Sequence, residues 1–563
     1  MSANFIPQDI DIQWENLEPL FRDLLDRPIN SKADLEAWML DRSNLESLLE
    51  EDYAWRYIHM TRDTESQEKL QAFQYFTEEI EPKIAPLHNA LNKKLMQSEF
   101  RGALDADQYG IYLRGVQKSL ELFREENIPL QTKIQMVQQQ YQALTGSMSV
   151  EVDGQEYTME QAAVFLKDTD RSKREKAWRA TNDRRQADKV RMDELFDTLR
   201  NLRHQVAQNA GFENFRDYSF EAMGRFDYTP EDCFNFHAAI EQYICPLLEQ
   251  EASKRKMQLG LDQLRPWDMD VDPLNQAALK PFSNTREMID KTALSLSKLD
   301  PYIGSRVSLM DQEGLFDLES RKGKAPGGYN YPLAQSGAPF IFMNSAYTFR
   351  DMTTLIHETG HATHTYLTAD LKINDFKQVP SEVAELASMS LELLSMAHWD
   401  VFFPDSQSLK RAKLEQLQDV LKTLPWVATV DKFQHWIYTH PQHTLQERQQ
   451  AWVDIYQPFG IQEISWNGLE SYRETLWHKQ LHIFEVPFYY IEYGMAQLGA
   501  IAIWKHFTEQ PKQALEQYLN ALKLGYTKSI PEIYEAAGIQ FDFSAAYVRQ
   551  LADFIQGEMA KLQ

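Results

Sequence analysis

The chain has 563 residues and a formal net charge of −25, from 58 lysines and arginines against 83 aspartates and glutamates. That charge repels phosphate backbones and anionic lipid, which argues against nucleic acid or a membrane as partner. A hydrophobic content of 43% with 25% charged residues excludes wholesale disorder. The acidic surplus reads most simply as solubility. An acidic interior suited to cationic peptides is the sharper reading. The opening stretch "MSANFIPQDIDIQWENLEPL" has no basic segment leading into an apolar run. No part of the chain approaches the roughly eighteen uninterrupted apolar residues of a membrane span, so a cytoplasmic protein is expected. Cys233 and Cys245 are the only cysteines; they read as core thiols in a reducing compartment.

From about Ser31 to Leu144 apolar residues recur three and four apart, as in "LEAWMLDRSNLESLLEEDYAWRYIHM", which predicts an all-helical region with a stop at Gly146. Alternation around Asp153-Gly154 predicts a short hairpin, after which Thr158 opens another helix. Arg171 to Ala210 reads as one long charged helix with a solvated face. Pro230, Pro246, Pro266 and Pro273 punctuate further helices. Between Leu315 and Ser345 the chain turns rich in Gly and Pro and reads as loops and short strands. Within it "SGAPFIFMN" either presents a strand edge to an extended peptide or forms a core strand under the helix that follows. Helical patterns then resume, interrupted at Gln457–Gln462 and around Pro487.

The stretch Leu355 to His364, "LIHETGHATH", concentrates the chemistry. Helical geometry places His357 and His361 on one face, four residues apart, where both imidazoles can aim at one ion with Glu358 beside it. This is the H-E-x-x-H arrangement of zinc hydrolases. His364 lies about 10 Å along the axis from His357, which favours contact with substrate or with a ligand, and leaves it a runner-up ligand. A catalytic zinc needs a third protein ligand. Asp370, Asp375, Glu382, Glu385 and Glu392 follow downstream, and on the helix beginning at Pro380-Ser381 the carboxylates Glu385 and Glu392 share a face.

These residues resemble the thimet oligopeptidase and oligoendopeptidase F family of zinc peptidases, which cut short peptides internally. The resemblance runs from about Ala210, at "AGFENFRDYSFEAMGRFDYTPED", to about Gly494. Its metal helix reads H-E-x-G-H followed closely by another histidine, matching His357, Glu358, Gly360, His361 and His364. Its second motif, E-x-x-S-x-x-x-E, matches Glu385, Ser388 and Glu392. The resemblance therefore implies Glu385 as third ligand, with Glu382 the alternative, and Glu392 as the carboxylate that holds a liganding histidine. In "LWHKQLHIFEVPFYYIEYGMAQLGA", His482 and Tyr493 match the family's groups that face the scissile carbonyl. Tyr490 resembles a substrate-contacting tyrosine, and its neighbour Tyr489 is either a second one or a core aromatic. The Gly-rich loop of the thimet branch is absent and Pro487 stands in that region, so the chain is similar to the bacterial oligoendopeptidase F type.

The resemblance implies a mainly α, two-lobed helical metallopeptidase with a deep central channel and a small β-sheet beside the H-E-x-x-H helix. Residues 1–195 are expected to form a helical N-terminal region and 196–563 the zinc peptidase region, with one Zn2+ per chain. The expected activity is endopeptidase cleavage of short unstructured oligopeptides, with Glu358 as general base for a metal-activated water. A zinc carboxypeptidase or dipeptidyl carboxypeptidase on the same scaffold, or a non-catalytic peptide-binding protein, is the alternative. A monomer or small homo-oligomer is expected.

Overall fold

Segments with apolar residues at helical spacing are helical almost throughout the computed structural model, which describes residues 5–7 and 10–563. Positions 1–4 and 8–9 of the opening stretch lie outside the described residues. Among the described residues the only sheets are one two-stranded hairpin and one three-stranded sheet.

Helix α1 (Lys32–Arg62) starts at Ser31, whose hydroxyl accepts from the backbone N–H of Asp34. Helix α2 (Ile128–Gly146) ends at the predicted glycine. The hairpin of β1 (Ser149–Val152) and β2 (Gln155–Thr158) turns through Asp153 and Gly154, with φ of 54° and 81°. Two successive positive φ values are what a two-residue turn matched to strand twist requires. Thr158 then caps the next short helix by accepting from the N–H of Gln161.

The single helix expected over Arg171 to Ala210 is two: α3 (Arg171–Ala187) and α4 (Lys189–Asn209), broken at Asp188. Nor are all its charges solvated. Arg174 is buried against the Asp268 carboxylate at 2.9 Å, and Arg203 is buried with Tyr438 Oη at 2.8 Å and the carbonyls of Ile483 and Phe484. These arginines tie distant segments together through buried, charge-assisted hydrogen bonds.

Helix α5 (Pro230–Tyr243) begins with proline at its first position and a Thr229–Asp232 capping box. The three-stranded sheet follows, with strands β3 (Phe316–Glu319), β4 (Tyr329–Leu333) and β5 (Ala338–Ser345). Its order is β3-β5-β4, with β3 parallel and β4 antiparallel to β5. The central strand is thus bonded on both sides, and Phe340 to Met343 are at most 1% exposed. This corrects the edge reading of "SGAPFIFMN": that segment is the core strand, and the edges are β3 and β4.

Helix α6 (Phe349–Thr368) leaves β5 through Tyr347, at φ 64°, and a capping box of Thr348 and Asp351. Helices α7 (Ser381–Ser395), α8 (Ser406–Thr439) and α9 (Tyr490–Glu509) complete the frame of the site. Gly360 on α6 sets its contact with α7. A Cβ there would lie 2.4 Å from Ser388 Cα and 2.9 Å from the Ala387 carbonyl, closer than backbone atoms allow, so only glycine permits the approach.

The buried side chains form two main cores. The smaller is drawn from residues such as Leu17, Trp38 and Leu91, together with Ile373 and Phe376 from the loop after α6. The larger takes in α4 to α9 and the sheet. Helix α1 belongs to both, giving Leu35, Trp38 and Leu45 to the smaller core and Ala54 and Ile58 to the larger. Its C-terminal end is fixed to the sheet by Thr61 Oγ1 to Tyr329 Oη at 2.7 Å and by Arg62 to Asp317 at 2.6 Å. No helix among the described residues is long and apolar enough to cross a membrane.

Candidate active site

Helices α6 and α7 pack face to face, so residues four apart on one meet carboxylates on the other. His357 and His361 have ring centroids 4.9 Å apart. Glu385 Oε2 lies 3.2 Å from His357 Nε2 and 3.6 Å from His361 Nε2. All three donor atoms fall within 4.8 Å of one another. Two imidazoles and a carboxylate converging in this way suit a divalent ion such as zinc.

Two of the three donors are held from behind by side chains. His357 Nδ1 is 2.7 Å from Glu392 Oε1, and the other oxygen of Glu392 accepts from Gln416 at 2.8 Å. Donation of Nδ1–H to Glu392 leaves the Nε2 lone pair free for an ion. Glu385 accepts from Tyr489 Oη at 2.7 Å and from Ser388 Oγ at 3.2 Å. Burial opposes a charge on His357, but the carboxylates of Glu385 and Glu392 on either side of the ring outweigh it and hold its pKa well above the ordinary value. Burial alone would raise Glu385; His361, His357 and the Tyr489 hydroxyl bring it down to about 2. A ring that retains a proton between two carboxylates is a ring whose Nε2 proton a cation can replace.

These groups border a cavity of about 290 Å³ walled by α6, by the β4 edge from Gly328 to Leu333, and by Tyr489 and Tyr493. Glu358 lines it beside His357. Burial raises the Glu358 pKa, His357 opposes, and Glu385 and Glu392 add to the rise, giving about 7. A carboxylate near neutrality is poised to take and return a proton.

Across the cavity, the short helix Leu481–Glu485 and the start of α9 bring His482 and Tyr493 together, with His482 Nε2 3.2 Å from Tyr493 Oη. The His482 tautomer follows from its neighbours. Trp426 Nε1, a donor only, faces Gln480 Oε1 at 2.9 Å, which turns the Gln480 amide nitrogen to His482 Nδ1 at 2.7 Å. Nδ1 therefore accepts and Nε2 carries the proton. Burial lowers the His482 pKa to about 4, so the ring is neutral at physiological pH.

Three other predicted residues take particular places. His364 is 4% exposed, lines the cavity wall below the histidine pair, and its Nε2 has no hydrogen-bond partner; it is not in the donor cluster. Tyr490 packs its ring on His482 at 4.9 Å and on Tyr493 at 5.2 Å, one layer back from the cavity lining. Glu382 points away: Tyr228 Oη donates to it at 2.5 Å in a buried group with Arg225 and Glu492.

Sequence reasoning missed Gln416, Gln480 and the β4 edge, which carry no motif. It also missed Phe488, whose φ of 69° is unusual for an aromatic residue. Its N–H donates to Gln434 at 2.8 Å and its carbonyl accepts from Arg225. This strained turn delivers Tyr489 to Glu385.

A mainly helical body in which an H-E-x-x-H helix faces a glutamate helix has the make-up of a metallopeptidase centre. Comparison with known proteins gives the family: residues 164–553 match the model of peptidase family M3, and residues 10–123 that of the peptidase M3 N-terminal domain. The chain belongs to peptidase family M3. It is 26% identical over 295 residues to an oligoendopeptidase F homolog of Borreliella burgdorferi, covering 50% of this chain and 48% of that protein. It is 24% identical over 322 residues to the oligopeptidase PepF of Bacillus subtilis, covering 55% and 46%. The chain thus spans about half the length of these curated relatives. A solved structure of PZ peptidase A with inhibitor 2 superposes with a TM-score of 0.93 at 27% identity, covering 98% of this chain and 97% of that one.

Proposed function

We propose that the chain is a zinc-dependent endopeptidase for short unstructured oligopeptides, with His357, His361 and Glu385 as ligands of one catalytic ion. The observation that carries this reading is the convergence of three donors beside a carboxylate of pKa about 7, on the wall of a cavity with a free strand edge. In this reading residues 196–563 carry the catalytic centre and residues 1–195 form the helical N-terminal region.

When bound, zinc supplies Lewis acidity that polarises a peptide carbonyl and makes water nucleophilic near neutral pH. The protein does the rest. An extended peptide pairs its main chain with the β4 edge, which tolerates varied side chains. Glu358 takes the proton of the attacking water and passes it to the leaving amine. His482 donates its Nε2 proton to Tyr493 Oη, which leaves the tyrosine O–H free to donate to the oxyanion as it forms. Glu392 and Tyr489 fix the two ligands they touch.

Lys377 on the cavity wall favours a second reading, because a peptidase that reads the C-terminal carboxylate needs such a cation. Mass spectrometry of products from one peptide with free and amidated C-termini separates the two. Equal cleavage of both supports the endopeptidase, and loss on amidation overturns it. Metal analysis of Glu385→Ala beside His364→Ala tests the ligands: the zinc held at the cavity is expected to be lost from the first and kept by the second, and the reverse would make His364 the ligand.

A further inference from the structure

A second group of metal-type donors lies between α5 and α8, away from the cavity. Cys233 on α5 and Asp431 and His435 on α8 each turn one donor atom inward, and the three atoms lie within 4.8 Å of one another. All three residues are at most 3% exposed. His237, four residues after Cys233 and on the same helix face, holds the aspartate through Nε2 to Oδ2 at 2.8 Å. Cys233 is a free thiol.

Hydrogen bonding does not account for this arrangement. Asp431 Oδ1, both ring nitrogens of His435 and Nδ1 of His237 are buried without a partner. His435 Nε2 comes within 3.2 Å of Asp431 Oδ2 but is not aligned for a hydrogen bond. Buried polar atoms are nearly always paired, so the orphan Asp431 Oδ1 and His435 ring nitrogens, in residues grouped with Cys233, call for a ligand. Donor chemistry narrows it. A thiolate, a carboxylate and a neutral imidazole carry two negative charges, which a divalent cation balances, and this mixed set suits borderline-soft zinc or cobalt over calcium or magnesium.

The second coordination requirement is also present: a liganding group braced from behind, here Asp431 by His237. The donors, within 4.8 Å of one another, must close to about 3.3–3.8 Å to fill a tetrahedral shell. The Phe234 ring that meets His435 edge to face at 4.8 Å is itself 37% exposed.

We propose that Cys233, Asp431 and His435 form a second, structural site for a divalent ion of the zinc class, with His237 as the positioning residue for Asp431. Binding displaces the Cys233 thiol proton to solvent. The ion joins α5 to α8. His435 also meets Phe488 edge to face at 5.3 Å, so the site braces the turn that carries Tyr489.

The chain's two cysteines make the test direct. The purified full-length protein is stripped with a chelator, titrated with cobalt(II), and read by near-ultraviolet absorption and by metal analysis. A thiolate-to-cobalt charge-transfer band is expected, present in Cys245→Ser and absent in Cys233→Ser. Total metal is expected to fall from about two ions per chain to about one in Cys233→Ser and in His361→Ala, with the band kept in His361→Ala. Absence of the band from the saturated wild type, or its loss in Cys245→Ser, overturns the proposal, and neither result depends on whether Cys233→Ser folds. Loss of all metal in His361→Ala overturns it as well, while leaving the active-site assignment standing.

Discussion

Two places in this molecule set donors four residues apart on one helix against a carboxylate from another: His357 and His361 facing Glu385, and Cys233 and His237 facing Asp431. They differ in what surrounds them. The side chains of His357 and His361 are each 18% exposed and look into a cavity beside Glu358. The second group is closed in by the rings of Phe220, Phe234 and Phe488 and has no general base next to it. Donor spacing decides whether an ion can be held; access for water and a neighbouring carboxylate decide whether it can catalyse.

The contrast is broken most severely at Glu358. Glu358→Gln is expected to lower peptide hydrolysis by about 10²–10⁴-fold while metal content stays at the wild-type value, read by steady-state kinetics and metal analysis. Wild-type turnover in this variant would remove Glu358 as the base. Tyr493→Phe is expected to reduce kcat by about 10²–10³-fold with little change in KM. An effect confined to KM would make Tyr493 a substrate contact.

Removing the carboxylate behind His357 sharpens the comparison. Glu392→Ala is expected to weaken zinc binding at the cavity site by about 10–100-fold in chelator competition, leaving the thiolate-to-cobalt band unchanged. Unchanged competition would show that His357 keeps its orientation without Glu392. The smallest expected effect is that of Gly360→Ala. A methyl group 2.4 Å from Ser388 Cα must part α6 from α7, at a cost of about 1–3 kcal/mol in denaturant unfolding. Unaltered stability would mean that the helices can separate freely.

The legible part of the site was local. His357, Glu358 and His361 lie within one turn of one helix, and helical periodicity is what a sequence displays best. Glu385 and Glu392 were limited by periodicity to one face of the next helix, and the choice among carboxylates came from the family resemblance. What escaped depends on distance along the chain. Asp431 meets His237 across 194 residues, and nothing in either helix announces the other. The β4 edge depends on sheet order, which the apolar run Phe340–Met343 does not encode. The break at Asp188 and the burial of Arg174 and Arg203 were hidden because a paired arginine and a solvated one are written identically. The helical class itself was plain from spacing.

Helix α1 has a mechanical consequence. One end is seated in the smaller core, and the other is bonded to Tyr329 at the start of the β4 edge. A helix of 31 residues is a stiff rod of about 46 Å, so it acts as a lever whose load arm ends on the strand that borders the cavity. Any tilt of the smaller core is delivered to that strand. Hydrogen exchange at the Asn330 amide is the gauge: loosening the far end, as with Trp38→Ala, should speed it, and an unchanged rate would show that the lever is disengaged.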